Sequence, residues 1–283
     1  MSKTRTITPG EIPIPQLHQF LIGSVAPRPI CFASTVDSSG VPNLAPFSFF
    51  NVFSANPPIL IFAPNNSGKT GEPKHTLLNV KEVPEVVINM VNFEMVEKMN
   101  VAAAPWDRGV SEFEKAGFTA IGSELVKPFR VAESPVQIEC KVLEVKEMGQ
   151  GGGAGNIVIC QVMRMHISED ILNEEGKIDQ HKIDLVGRLG GSWYSTSRQD
   201  ALFQLAQPMV KTIGFDALPE LAKASKILTA NQLGQLSGLV EWPSDDLKAE
   251  AKLLIESGNS EVMASKLIDE GKIQLALAVL MIS

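Results

Sequence analysis

Residues 42–54 read PNLAPFSFFNVFS. Phenylalanines at 47, 49, 50 and 53 suggest core, yet Asn43, Ser48, Asn51 and Ser54 interrupt the apolar run. A strand buried on both faces is continuously aliphatic, and a half-buried one alternates. This stretch does neither. Pro46 removes a ladder N–H, so the strand there lies at a sheet edge or bends. A bent strand leaves neighbouring N–H and C=O groups in need of partners. Two readings stay open. One is a core strand with satisfied hydroxyls and amides. The other is backbone fitted to a flat heteroaromatic ligand, with Phe47, Phe49 and Phe50 packing against its ring and Ser48 and Asn51 as short donors.

The flanking segments indicate the fold class. Residues 30–36 (ICFASTV) are β-prone and end in Ser34, Thr35 and Val36, and Asp37 to Gly40 is a turn signal. Residues 30–54 therefore read as a hairpin. A turn at 56–58 (NPP) leads to a buried strand at 59–63 and a polar loop at 65–73. Residues 74–83 have helical spacing, with Leu77, Leu78 and Val80 on one side and Pro84 as the stop. A strand at 86–91 and a helix at 93–104 follow, the latter with Met95, Val96 and Met99 on a common face. Ser111 and Glu114 fit a capping box. Two long strands, 136–147 and 156–167, flank a glycine-rich loop. No long helices alternate with the strands, which argues against a parallel doubly wound sheet. A closed or nearly closed antiparallel barrel handles its edges best.

Beyond about residue 200 strand patterns vanish. Leu247, Ala251, Leu254 and Ile255 follow helical spacing, as do Met263, Leu267 and Ile268. The chain thus divides into a mainly β domain at 1–200 and a helical C-terminal extension at 201–283, packed through amphipathic faces.

Composition narrows the function. The 283 residues are 44% hydrophobic and 20% charged, enough for a sizeable core. A net charge of −7 argues against nucleic acid as a partner, and an anionic ligand would need local cations. Cys31, Cys140 and Cys160 lie far apart in apolar runs, which fits buried thiols in a reducing compartment. His18, His75, His166 and His181 lack ligand spacing, so no metal site is expected. The nucleophile-elbow, Walker and dinucleotide glycine motifs are missing. Residues 151–155 (GGGAG) have no helix after them, and a hairpin connection is favoured over a phosphate loop. The first residues carry no signal-peptide core, and the apolar run at 273–282 is too short to span a bilayer. The expectation is a cytoplasmic protein with no membrane partner. Trp106 and Trp193 read as packing residues rather than ring stackers. Arg28, held extended between Pro27 and Pro29, is either a ligand contact or a guard on an edge strand.

The run 27–58, PRPICFASTVDSSGVPNLAPFSFFNVFSANPP, resembles the flavin reductase-like FMN-binding split-barrel family, which includes flavoredoxin-type proteins. Further segments resemble it in the same order: Lys74 to Leu77 with Asn79, then 86–89, 111–116, 132–135, and 186–191 followed by Tyr194. The likeness spans roughly residues 12–200. It implies a mainly β fold with α, an antiparallel Greek-key-like split barrel that binds FMN. It also implies contacts. Ser34, Thr35 and Val36 would lie against the isoalloxazine. Asn43, Ala45, Pro46, Phe47 and Ser48 would wrap the ring edge and ribityl chain, with Phe49, Phe50 and Asn51 continuing the wall. Lys74 and Thr76 match a cation–threonine element near the phosphate, with His75 where the family often has an acid. Arg188, Gly190 and Tyr194 match an element near the flavin, and Arg28 joins the candidate contacts. The resemblance further implies NAD(P)H or another small-molecule electron donor, and a homodimer with flavin near the subunit boundary. No catalytic acid or base is expected, because the flavin carries the redox chemistry. A non-enzymatic FMN carrier or electron-transfer protein is the alternative, and an interaction role centred on the helical extension is a third.

Overall fold

In the computed structural model, which describes residues 3–255 and 258–283, the opening stretch is two strands rather than one. Helix α1 is Ile14–Ser24, and strands β1 Cys31–Val36, β2 Pro42–Phe47, β3 Phe50–Ala55 and β4 Pro58–Phe62 follow. Then come α2 His75–Glu82, β5 Glu85–Met90, α3 Val96–Ala102, α4 Glu112–Ala116, β6 Ala120–Ile121 and β7 Arg130–Val131. The long hairpin β8 Val136–Glu147 and β9 Asn156–Ile167 leads to α5 Gln180–Ile183, β10 Val186–Arg188 and β11 Tyr194–Thr196.

Seven strands form one antiparallel sheet in the order β2-β1-β5-β8-β9-β4-β3. The expected 30–54 hairpin is corrected here. β2 pairs with β1, but β3 pairs with β4 at the opposite edge of the sheet. Only Ser48 and Phe49 separate the two strands. Three Cα steps reach at most ~11 Å, so the sheet must curl until its two edges nearly meet. Among the described residues no ladder joins β2 to β3. The closed barrel that the sequence left open as an option is therefore not formed, and the seam between β2 and β3 stays open.

β1 is buried at every position because both of its faces are covered. Cys31 and Ala33 face a core with Phe62, Leu77, Ile88, Ile138 and Cys160. Phe32 faces a second core, with Leu44, Val91, Met99 and Phe113 under α3 and α4. Each such aliphatic or aromatic side chain contributes about 1.5–3 kcal/mol by leaving water. The three cysteines are buried and free, as expected. Ser111 does occupy the N-cap of α4, but its side chain makes no capping hydrogen bond, so the capping box is not formed.

The chain divides at Phe203/Gln204 into two compact units. The second contains α6 Glu220–Ala224, α7 Ala230–Ser237, α8 Asp245–Ile255, α9 Ser260–Asp269 and α10 Ile273–Ile282. A helix that is apolar all round must be enclosed. α10 accordingly buries each residue from Leu275 to Leu280 in a core shared with Leu236, Ala251, Ala264 and Leu267. Thr229 and Gln232 cap α7 reciprocally, and Asn259 caps α9. Among the described residues no helix is long and apolar enough to cross a membrane.

Candidate functional site

The site begins with the free edge of β2. The Asp37 N–H donates to the Val41 carbonyl at 3.1 Å, so Val41 faces β1. Antiparallel alternation then turns 43, 45 and 47 inward and 42, 44 and 46 outward. Two of those three outward residues are prolines and carry no N–H. The third, Leu44, donates its N–H to Glu112 Oε2 at 2.9 Å. The edge therefore presents carbonyl acceptors and no free donor. Glu112 is 5% exposed. Burial pushes its carboxyl pKa up, and the Leu44 N–H partly opposes that shift.

A groove runs along this edge. Its first part is a pocket of about 410 Å³ with Ala45, Pro46 and Phe47 along the strand. Lys74, His75 and Thr76 border it, together with Ala103, Trp106 and Glu112. A second pocket of about 280 Å³ shares Pro46, Phe47 and Ala103 and extends to Ser48, Asn100, Arg188 and Tyr194. One end of the groove thus has a lysine and the other an arginine.

The lysine end is the start of α2. Lys74 is the N-cap in extended conformation, and its carbonyl accepts from the Leu77 and Leu78 N–H groups. The amides of His75 and Thr76 belong to the first turn, which has no carbonyls of its own to bind them. The helix is locked to the sheet by buried polar pairs. Asn43 Nδ2 donates to Thr76 Oγ1 at 3.0 Å, and Asn79 Nδ2 donates to Thr35 Oγ1 at 3.2 Å. Desolvation, followed by the Arg108 and Lys74 cations, holds the His75 imidazole below its ordinary pKa.

The arginine end is a braced corner. Arg28 and Arg188 face each other across a two-residue antiparallel bridge, with N–H···O distances of 2.9 and 2.8 Å. The Arg28 side chain donates to the carbonyls of Ile22 (2.7 Å), Val25 and Leu189 (3.1 Å), and weakly to Ser48 Oγ (3.5 Å). It ties the end of α1 to the β10–β11 turn and to the β2–β3 bend. Gly190 is needed for the same joint, since a Cβ there would lie 3.1 Å from the Cα of Gly23. Arg188 stacks on the Tyr194 ring at 4.5 Å and donates to the Gly191 carbonyl at 2.5 Å.

The structure brings Asn43, Ala45, Pro46, Phe47, Ser48, Lys74, Thr76, Arg188 and Tyr194 to this groove. Other candidates lie elsewhere. Ser34, Thr35 and Val36 are inside the sheet, and Ser34 Oγ is buried without a partner. Arg28 is 6% exposed and spends its donors on the corner, so it guards no edge. Phe49 meets the His18 ring edge-on and the Arg28 guanidinium. Phe50 packs on the barrel core, and Asn51 Oδ1 accepts from the adjacent Val52 N–H. The packing expected of Trp193 is corrected by its 76% exposure. Trp106 borders the groove instead of a core, with its indole N–H donating to the Val101 carbonyl at 3.2 Å. Ser67, Thr70 and Glu112 also line the groove and were not foreseen as site residues.

The groove thus has a cation and free amides at one end, a flat apolar wall along its length and a second cation at the other end. A model of the family described as flavin reductase like domain matches residues 23–182. The chain belongs to the flavin reductase-like family. An uncharacterized protein of Halalkalibacterium halodurans is 35% identical over 72% of this chain and 97% of its own length. Nitrilotriacetate monooxygenase component B from Bacillus cereus superposes with a TM-score of 0.67 at 30% identity, over 72% of this chain and all of that one. A Shewanella frigidimarina protein with a split barrel domain superposes with a TM-score of 0.59 at 24% identity, over 69% of this chain and 94% of that one, a likeness of fold. The open sheet is that split barrel. Membership carries a flavin-related redox function, and the chain is an oxidoreductase of this flavin-binding family. The family match ends before the 204–283 unit begins.

Proposed function

We propose that this groove binds FMN and that the protein reduces an acceptor with electrons from NAD(P)H. The observation that carries this reading is Lys74 at the start of α2, opening onto a groove along a strand edge that offers only acceptors. Lys74 and the His75 and Thr76 amides would hold the phosphate, where a cation and a helix N-terminus act together. Pro46, Phe47 and Ala103 would pack against the ring system, shared as they are by both pockets. The outward carbonyls of Leu44 and Pro46 would accept from the ring's N–H edge. Glu112 keeps the Leu44 N–H occupied, so that edge does not change character. Bound FMN would supply the hydride-accepting ring. The residues along β2 would orient it and exclude water from one of its faces. The cavity volume falls within the range of small-molecule and cofactor sites. We propose further that the protein is a homodimer.

The test is the visible spectrum of the purified protein, before and after adding FMN, with oxidation of NADH and NADPH followed in the same cuvette. A yellow protein that oxidises either nucleotide supports the reading. A yellow protein that oxidises neither is a flavin carrier, and a colourless one that takes up no FMN ends the proposal. Sedimentation at micromolar concentration reads the oligomeric state.

A further inference from the structure

Arg28 and Arg188 stand directly opposite each other in an antiparallel bridge. Like charges in that position destabilise a strand pair. Among the described residues neither guanidinium has a carboxylate within ion-pair distance, although the chain is net acidic. Arg28, 6% exposed, donates to three carbonyls and one hydroxyl and lies over the Phe49 ring. Desolvation, followed by the charge of Arg188, depresses its pKa. One positive charge without a carboxylate partner, that of Arg188, therefore lines the 280 Å³ pocket, with Arg28 opposite it across the bridge.

The arrangement of Arg188 is that of a receptor. Tyr194 covers one face of its guanidinium and the Gly191 carbonyl takes one of its five N–H groups. Arg188 lines the pocket, and a guanidinium is a planar fork whose shape matches a carboxylate through two parallel hydrogen bonds. Ser48 Oγ accepts from Arg28, which leaves its hydroxyl proton for another acceptor. The Asn100 side chain adds an amide donor to the same pocket. A volume of 280 Å³ accommodates a small organic acid.

We infer that Arg188, backed by Arg28 and steadied by Tyr194, receives the carboxylate of a small organic acid that binds beside the cofactor as the second ligand of this groove. This rests on the groove being the flavin site proposed above. The ligand class is a compact, planar monocarboxylic acid that can lie along Phe47 with its charged end at Arg188.

Calorimetric titration of benzoate and of benzamide, its uncharged analogue, tests the inference. It is run on the full chain with and without FMN, with the flavin absorbance difference spectrum recorded in parallel. Benzoate should bind at least about tenfold more tightly than benzamide and should perturb the flavin bands. Arg188→Ala should weaken benzoate at least about tenfold while benzamide affinity stays within about threefold. Arg188→Lys should recover part of the loss, because it restores the charge and not the fork. Circular dichroism establishes that both variants fold. The inference falls if benzoate fails to bind the wild type, if the two probes bind equally, or if Arg188→Ala takes benzoate as the wild type does. It also falls if that variant raises only the KM for NADH, since the anion read would then be a dinucleotide phosphate. Should no form take up FMN, the proposed function fails alone, and titration of the cofactor-free protein still reads Arg188.

Discussion

Replacing Lys74 separates recognition of a phosphate from recognition of a ring. Lys74→Ala is expected to weaken FMN by about 1.5–3 kcal/mol, the worth of a charge-assisted hydrogen bond, and riboflavin by far less. Fluorescence titration with both flavins reads the difference, and equal losses would move Lys74 from the phosphate to the fold. Glu112 is a different kind of residue, a carboxyl held under β2 by its bond from Leu44. Its folded pKa is raised. Between the ordinary carboxylate range and that raised value, the folded protein keeps a proton that the unfolded chain has released. Stability on this account falls as pH rises through the window. Glu112→Gln keeps an acceptor and loses the charge, so its Tm should match the wild type near pH 4 and exceed it near pH 8. Glu112→Ala strands the Leu44 N–H and should cost about 1–3 kcal/mol at both pH values. Melts of the three proteins across this range decide the matter; a gap between Gln and wild type that ignores pH would count against a buried charge.

The sheet behaves as a unit whose interior can be read chemically. Cys31, Cys140 and Cys160 sit on β1, β8 and β9 with no exposed surface. Burial pushes their thiols up, that of Cys140 to about 12. An added disulfide reagent is expected to find all three unreactive in the native state, and to label them with one rate constant when the sheet opens. Labelling in separate phases would mean that the strands part independently. The same elements explain what could be read from sequence. β8 and β9 were legible to the residue, because two long β-prone runs flank a glycine-rich loop. The 42–54 stretch was not, since a continuous run of rings says nothing about which strand each half will pair with. That choice is made by β4 and β1. Helix α1 went unread because it buries no residue and starts among prolines, which the first turn of a helix tolerates. In the site, the local pieces around Pro46 and Lys74 were legible as candidates. Glu112 reaches Leu44 across 68 positions, and only the packing of α4 on β2 puts it there.

At the scale of the whole chain, each unit closes its own core. A chain ending at Phe203 is expected to fold and take up flavin, and residues 204–283 alone are expected to melt cooperatively as a helical protein. Circular dichroism and flavin uptake of the two fragments provide the check. A soluble, folded 1–203 chain that no longer holds flavin would show that the helical unit takes part in binding. The open seam has one more consequence. A sheet with two bare edges is a template on which foreign strands can add and polymerise. On β2 the growth step is blocked. An incoming strand meets Pro42, Pro46 and an amide already held by Glu112, so it can give hydrogen bonds and receive none. β3 has a bulge between Val52 and Ser54 but exposes Val52 and Phe53. If this protein forms fibrils under stress, they are nucleated at β3, and the edge that lines the groove is the one that resists.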